Sequence, residues 1–437
     1  MTKLIIGHTT NKSVKIWVRG TSRWPVAFVD LFNSAGSRVG NTKKLELKEE
    51  EFYTDVLVWA GLNPGQAYNV KVAFGKTKSA ASEERIRDAY TGGKFRTFSD
   101  AENPKFSFML GSCNLHSLGL FEKPDEAWIR MSKIAKSSQA KFMVHCGDQI
   151  YADIPFSPSS TLEHYRSKYL DAWEDCKPAQ KMLTELPHYM VLDDHEITNN
   201  YDTDTINDDQ LLNVAMKVYH EFQHKHNPDT SDIQGSRRYH YTFNYGGVEF
   251  FVMDTRTSRE SDDGLIIDPP QMETFKRWLT QKKHNLKFVV TSVPFIGQVK
   301  KPKKDKWCDP VFDTQRGAIL NHVLDQDVRK LVFLTGDMHT SYYAKMQIEK
   351  GSKSAELHEL MSSPINQITP STSLKKKYDP DFHTTISGVD VHSQIESESF
   401  YGNHSNVMVI GVDGGRVSYQ IHRTTKTETG PTGEFLP

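Results

Sequence analysis

Five short stretches of this chain join an apolar run to residues that bind cations or move protons. They are "GSC" ending at Cys113, "GDQIYAD" with Asp148, Tyr151 and Asp153, "DDHE" with Asp193, Asp194 and His195, "DTR" with Asp254 and Arg256, and "GDMH" with Asp337 and His339. Several carboxylates and imidazoles gathered in one pocket would repel or shift one another's pKa unless a cation sat among them. Metal ions meet that need economically. The donor set is mixed, with carboxylate, thiolate, imidazole and phenol, and it contains no compact Cys/His group of the structural zinc kind. Asp148 has two oxygens with which to bridge two metals, and Tyr151 returns three residues later as a phenol ligand. A phenol has a free pKa of about 10, so its deprotonation at neutral pH points to a ferric ion more than to zinc or magnesium. Thiolate from Cys113 adds to the same ion, and an open mixed site of this kind suits catalysis.

Positioning these residues is the task of the runs that precede them. "FSFMLGSC", "KFMVHCGD", "HYMVLDDHE", "VEFFVMDTR", "LKFVVTSVPF" and "KLVFLTGDMH" each hold a short apolar run bounded by charge or glycine, the pattern of strands buried on both faces. "DEAWIRMSKIAKSS" and "PPQMETFKRWLTQKK" carry apolar residues at helical spacing, so the chain from Phe106 onward predicts an α/β layered domain. In open α/β sheets ligands bind at the carboxyl ends of the strands, and the five stretches are therefore expected to converge. The preceding segment differs. "SVKIWVRG", "PVAFVDLFN" and "AYNVKVAFG" are strand-like and separated by turn residues, which predicts a small β-sandwich. Tyr68 follows a Pro-Gly turn, as a tyrosine-corner residue does in an immunoglobulin-like sandwich. "RTFSDAENPK", Arg96 to Lys105, reads as a linker, which divides the chain into a β-domain over 1–98 and a catalytic domain over 99–437.

A chain of 437 residues can bury a large core and more than one domain. Its charged residues nearly balance, with a formal net charge of -1, so the overall field favours neither nucleic acid nor a membrane as partner. No stretch approaches the roughly 18 unbroken apolar residues of a membrane span. The opening "MTKLIIGHTTNKSVKIWVRG" lacks the longer apolar core and cleavage site of a secretory leader. A cytoplasmic location is the expectation, or a periplasmic or secreted one if a leader has been trimmed. Cys113, Cys146, Cys176 and Cys308 include no CxxC pair and are expected to be reduced thiols. The sequence has no GxSxG elbow, Walker loop or GxGxxG fingerprint, so serine-hydrolase and nucleotide-cradle readings lack their signals.

In their order and spacing, "GSC" at Gly111 to Cys113, "GDQIYAD" at Gly147 to Asp153, "DDHEITNNY" at Asp193 to Tyr201, "DTR" at Asp254 to Arg256 and "GDMHTS" at Gly336 to Ser341 resemble the PhoD-like alkaline phosphatase/phosphodiesterase family. That family lies within the calcineurin-like metallophosphoesterase superfamily and is related to purple acid phosphatases. The resemblance covers almost the whole chain. It implies a four-layer αββα sandwich of two mixed sheets, preceded by an immunoglobulin/fibronectin-III-like β-sandwich. It also implies a site of one ferric ion (Fe3+) beside a divalent metal, calcium (Ca2+). Carried over by position, Cys113, Tyr151 and His339 match the ferric ligands and Asp148 the bridging carboxylate. Asp194 and Asp337 fall where relatives place second-metal ligands, and carboxylate there in place of nitrogen favours a hard ion such as calcium. His195 takes the place of the outer histidine that contacts the phosphate or protonates the leaving group. After "KFVVTSV", where many relatives supply a further histidine, this chain has Ser292 and Pro294, and the open position falls to Asn200, Asn199 or water.

The activity implied is hydrolysis of phosphate esters, diesters favoured, by a metal-activated hydroxide attacking in line. Arg256 is expected to give bidentate hydrogen bonds to the charge that builds on the phosphoryl oxygens. The alternatives are a phosphomonoesterase and, from another class, a binding module with a vestigial phosphatase fold. Single residues also have plainer readings. Asp194 and His195 suit the cap of a helix, Asp254 and Arg256 suit an ion pair, and Asp153 is expected to hold its loop through backbone amides. His116 reads as a loop histidine, and "YGNH", Tyr401 to His404, as a pocket-rim or hairpin set. The basic run "KKPKKDK", Lys300 to Lys306, reads first as a solvated loop and second as a flank that attracts anionic substrate. "KKKYDP" from Lys375 has the same two readings.

Overall fold

The computed structural model describes residues 3–87, 92–102, 105–116, 124–204, 206, 208–230, 239–367, 374–402 and 404–437. Near the N-terminus two antiparallel sheets form. Lys3–Thr9, Ser13–Arg19 and Thr54–Ala60 make one of three strands, and Lys43–Glu46, Val26–Asn33, Ala67–Gly75 and Gly92–Arg96 make one of four. Residues of both, among them Ile6, Ile16, Val29, Leu31, Val70 and Phe74, share one hydrophobic cluster. Tyr68 is buried and its hydroxyl accepts a hydrogen bond from the Asn63 amide at 3.0 Å, five residues upstream. The expected linker is not solvated throughout. Phe98 is buried and its ring lies 4.7 Å from that of Tyr245, so the chain leaves the first two sheets already anchored to the next.

Beyond Phe106 the fold is mixed α/β. One six-stranded sheet runs in the order His188–Val191, Met143–Cys146, Phe106–Gly111, Asn406–Asp413, Arg416–Arg423, Thr429–Phe435. A nine-stranded sheet contains Tyr241–Tyr245, Val248–Val252, Lys287–Val290, Leu331–Thr335, Lys353–Met361, Thr340–Lys350, Val389–Ile395 and Asp381–Ile386 in that order, with Tyr401–Gly402 paired to Thr340–Ser341 off the path. Both sheets are mixed: Phe106–Gly111, Met143–Cys146 and His188–Val191 pair in parallel, as do Val248–Val252, Lys287–Val290, Leu331–Thr335 and Lys353–Met361, while the remaining pairs are antiparallel. Successive residues of the central strands feed two different cores, which is why their apolar runs are continuous. Phe250, Val290 and Leu334 join a cluster shared with Phe108 and Leu110 of the other sheet, whereas Phe251, Val289 and Phe333 join a second one. That second cluster is completed by Phe275 and Leu279 of the helix Pro269–Thr280 and by Ile319 and Leu320 of the helix Asp313–Gln326. The free face of the six-stranded sheet packs Met109 and Met143 against Trp128, Met131 and Ile134, whose spacing makes one stripe of the helix Pro124–Ser137. Both sequence-predicted helices form. The second begins on Asp268, whose carboxylate accepts from the Gln271 amide at 2.8 Å, followed by proline at its first turn.

Glycine at the strand ends lets the loops approach backbone to backbone. Gly147 has φ +85°, and a Cβ built on it would lie 2.4 Å from Cβ of Asp193. We expect Gly147→Ala to lose about 1–3 kcal/mol from backbone conformation alone, with more from the clash, read as a lowered urea midpoint. No helix among the described residues is long and apolar enough to cross a membrane.

Candidate metal centre

Five strands each present a donor-type residue two positions past their last residue. Cys113 follows Gly111, Asp148 follows Cys146, Asp193 follows Val191, Asp254 follows Val252 and Asp337 follows Thr335. Five of the nine candidate residues take left-handed backbone: Cys113 (φ 59°), Asp148 (55°), Asn200 (53°), Asp337 (69°) and His339 (53°). Such conformations are uncommon outside glycine and gather at functional sites, where the surrounding structure holds them against their cost. Here backbone bonds between the loops do so: the Cys113 amide donates to the Gly147 carbonyl at 3.2 Å, and the Asn114 amide to the Asp148 carbonyl at 2.7 Å.

Cys113 and Tyr151 pack in one small buried cluster with Leu115. The Cys113 thiol donates to Asp148 Oδ2 at 3.2 Å and accepts from the Ser363 hydroxyl at 3.2 Å. Burial, and then the charges of Asp148 and Asp337, push this thiol well above its usual range. Burial, Cys113 and Asp148 do the same to the Tyr151 phenol. Both groups therefore keep their protons until a cation compensates the charge. His339 is the opposite case: burial, with the positive fields of His195, Lys377 and Lys306, holds its imidazole down at about 3, so it is neutral and able to ligate. The carboxylates converge as well. Ligand atoms of Asp148, Asp193 and Asp337 lie within 4.8 Å of one another, and so do those of Asp148, Asp194 and His195. Asp193 Oδ2 and Asp194 Oδ1 are buried with no hydrogen-bond partner among the described residues. A buried carboxylate oxygen left without a donor is costly, and bound cations are the group this donor set fits.

Asp194, His195 and Glu196 form a single 3-10 turn, with Asp193 at its start. His195 Nδ1 donates to Asp153 Oδ1 at 2.7 Å, which orients the imidazole, and its ring lies 4.1 Å from that of Tyr151. Asp153 also accepts from the Asn199 amide at 3.0 Å, so it holds the loop and orients the histidine together. Burial works against a charged His195, but Asp194, Asp148 and the bond to Asp153 outweigh it and raise its pKa from 6.5 to about 10. A group raised on folding adds stability that is full below its unfolded pKa and lost as pH climbs through the folded one. For metal-free protein that window runs from pH 6.5 to about 10. His195→Gln should flatten the fall in urea midpoint across it, relative to the parent chain.

Two candidates stand differently from expectation. Arg256 has no exposure. Its Nε is bonded to Asp193 Oδ1, its Nη1 donates to Asp305 Oδ1 at 2.6 Å and to the Tyr201 carbonyl at 3.4 Å, and its Nη2 lies 3.8 Å from Asp194 Oδ1. The guanidinium is enclosed by carboxylates, with its hydrogen bonds directed to them and to the Tyr201 carbonyl. Asp254 does not pair with it through side chains. Asp254 Oδ1 accepts the amides of Arg256 and Thr257 at 3.1 and 3.0 Å and so shapes the turn. Asn200 is exposed, and its contact with the centre is its backbone amide, which donates to Asp194 Oδ2 at 2.5 Å.

Three participants escaped the sequence reading. Glu196 is buried and accepts from the amides of Asp148, Gln149 and Asp193 at 2.9, 2.6 and 2.8 Å, tying two of the loops together. Its signal was present as an acidic residue three after Asp193, the spacing of a capping box. Gln367 donates through Nε2 to the Tyr151 hydroxyl at 3.0 Å, with His339 Nε2 3.4 Å away. It follows the strand Lys353–Met361, a sixth strand end carrying polar residues. Lys306 closes the basic run, and its ammonium pairs with Asp305 and Asp337 while Lys303 and Lys304 stay exposed. The strands Gln298–Val299 and Tyr378–Asp379 pair, which brings the two basic stretches side by side. Of "YGNH", Tyr401–Gly402 pairs with Thr340–Ser341 just past His339, and Asn403 lies outside the described residues.

Comparison with known proteins bears on the fold and the family. The solved structure of PhoD superposes on 99% of this chain and 88% of its own with a TM-score of 0.73 at 16% identity, which is a likeness of fold. Alkaline phosphatase D of Bacillus subtilis (strain 168) is 22% identical over 344 residues, 68% of this chain and 55% of that protein, so the chain spans about half the length of this curated relative. A family model described as PhoD-like phosphatase matches residues 108–419, well over half of the chain and all five donor loops. On that match, the chain belongs to the PhoD-like phosphatase family.

Proposed function

We propose that this chain is a metal-dependent hydrolase of phosphate esters, diesters favoured. The observation that carries the reading is the meeting of the Cys113 thiol and the Tyr151 phenol beside Asp148 in one buried cluster, at the carboxyl ends of strands brought together from distant parts of the chain. In this reading Cys113, Tyr151, His339 and Asp148 hold Fe3+. Asp194 and Asp337, with Asn200 or water, hold Ca2+, and Asp193 is a further carboxylate for it. When bound, such ions lower the pKa of water and neutralise phosphoryl charge. The chain's own groups do the rest. His195, oriented by Asp153, donates a hydrogen bond or a proton through Nε2 to the ester oxygen. Arg256 holds Asp193 and Asp194 in place, and the exposed lysines at 300–304 and 375–377 draw an anionic ester toward the centre.

The architecture is read as a four-layer αββα sandwich over 99–437, preceded by an immunoglobulin-like sandwich over 1–98. The shared helix–sheet clusters support the first part, and the Tyr68 hydroxyl, bonded back to Asn63 as a tyrosine corner requires, supports the second. Four buried, unpaired cysteines fit a reducing compartment such as the cytoplasm. The test is direct. Purified protein should contain iron, show a charge-transfer colour and cleave a bis-aryl phosphate faster than the matching monoester. Faster monoester cleavage would establish the phosphomonoesterase alternative, and colourless, iron-free, inactive protein would rule out the catalytic reading.

A further inference from the structure

Resting on that metal reading, one residue changes what the second cation position can be. Lys306 is 7% exposed, and its ammonium bridges the carboxylates of Asp305 and Asp337. It is held there from both sides. Asp305 is fixed by Nη1 of Arg256 and of Arg259, each at 2.6 Å. The next residue, Trp307, is fully buried and donates through Nε1 to the Thr291 hydroxyl at 3.2 Å. The lysine is therefore part of a packed network and not a surface side chain that drifts toward an acidic site. On the neighbouring strand end, Ser292 donates to Asp193 Oδ1 at 2.8 Å, which ties up a carboxylate oxygen and offers no nitrogen ligand. The second position thus gains a fixed positive charge and receives no nitrogen ligand from this strand end.

We propose that Lys306 is a resident cation that competes with the divalent metal for Asp337, so that this metal is weakly held and exchangeable. A divalent ion binding Asp337 must displace the ammonium from it and then sit within a few ångströms of that charge, which repels it. Freed from Asp337, the ammonium remains anchored on Asp305 at the same place and faces whatever anion the metals hold. Lys306 is on this view a positioning residue that sets metal occupancy.

Calorimetric titration of chelator-washed protein with CaCl2 tests the idea. Lys306→Met should bind calcium at least about ten-fold more tightly than the parent chain, the size of effect a neighbouring like charge has on a proton site, and Lys306→Arg should stay close to the parent. Lys306→Gln, read the same way, covers the case in which the Met variant does not fold, as judged by its thermal melt. Equal or weaker calcium affinity in a folded Met or Gln variant would overturn the proposal, as would the absence of calcium binding in all of them. The visible iron band reports separately: its absence from the parent chain would sink the ferric reading, and the calcium comparison would still decide the role of Lys306.

Discussion

Tyr151→Phe is expected to leave the protein folded, without visible colour and with its hydrolytic rate reduced by about 100-fold or more; loss of a group that merely hydrogen-bonds a metal ligand already costs 10–100-fold. The substitution deletes one oxygen from a ring that packs with Cys113 and Leu115 and that stacks near His195, so volume is conserved and the core is not opened. What is lost is the phenol oxygen that the proposed metal site would use as a donor, and the hydrogen bond from Gln367. Cys113→Ser is the companion variant, since it exchanges a soft donor for a poorer one in the same left-handed turn and should bleach the band and lower iron content. Visible absorbance, iron analysis and bis-aryl phosphate hydrolysis on the same preparations read all of this. A Phe variant that keeps both its colour and its rate would remove Tyr151 from the metal.

The second large effect is on stability. Arg256→Met should cost about 3–5 kcal/mol, the range for breaking a buried ion pair from one side. Removing the guanidinium strands Asp193, which it bonds directly, takes from Asp305 one of its three cations, and leaves Asp194 with an uncompensated charge nearby. Arg256→Lys should recover only part of this, because an ammonium cannot span the two carboxylates and the Tyr201 carbonyl that the planar fork reaches together. Urea unfolding measures the loss. Combining Arg256→Met with Asp193→Asn should give back stability beyond additivity, since the two side chains touch. If Arg256→Met were instead as stable as the parent and differed only by a raised KM, the residue would be a substrate ligand and not a support for the carboxylates.

The contrast between Arg256 and Asp148 marks what could be read in advance. Asp148, Cys113 and Asp337 each stand two residues past a short, mostly apolar run. That pattern is local, because a strand buried on both faces is apolar at most positions and its polar residues gather where the chain leaves the sheet. Strand ends, helix stripes and donor chemistry were therefore legible, and so was the family they resemble. The work of Arg256 was not, because its partners lie 63 residues before it and 49 after it. Lys306 and Lys304 belong to one basic run, yet one is buried against Asp337 and the other is exposed.

The sequence by itself therefore determined where the core strands lie, where they end and which donor groups their ends carry, since hydrophobic period and residue type are properties of neighbours along the chain. Only the tertiary structure decided which polar groups meet: that Glu196 ties two loops, that Gln367 reaches Tyr151, and that Lys306 occupies Asp337. The physical reason is that such pairings depend on the order of strands in the sheets and on left-handed turns that aim single side chains, and neither leaves a periodic trace in the residues.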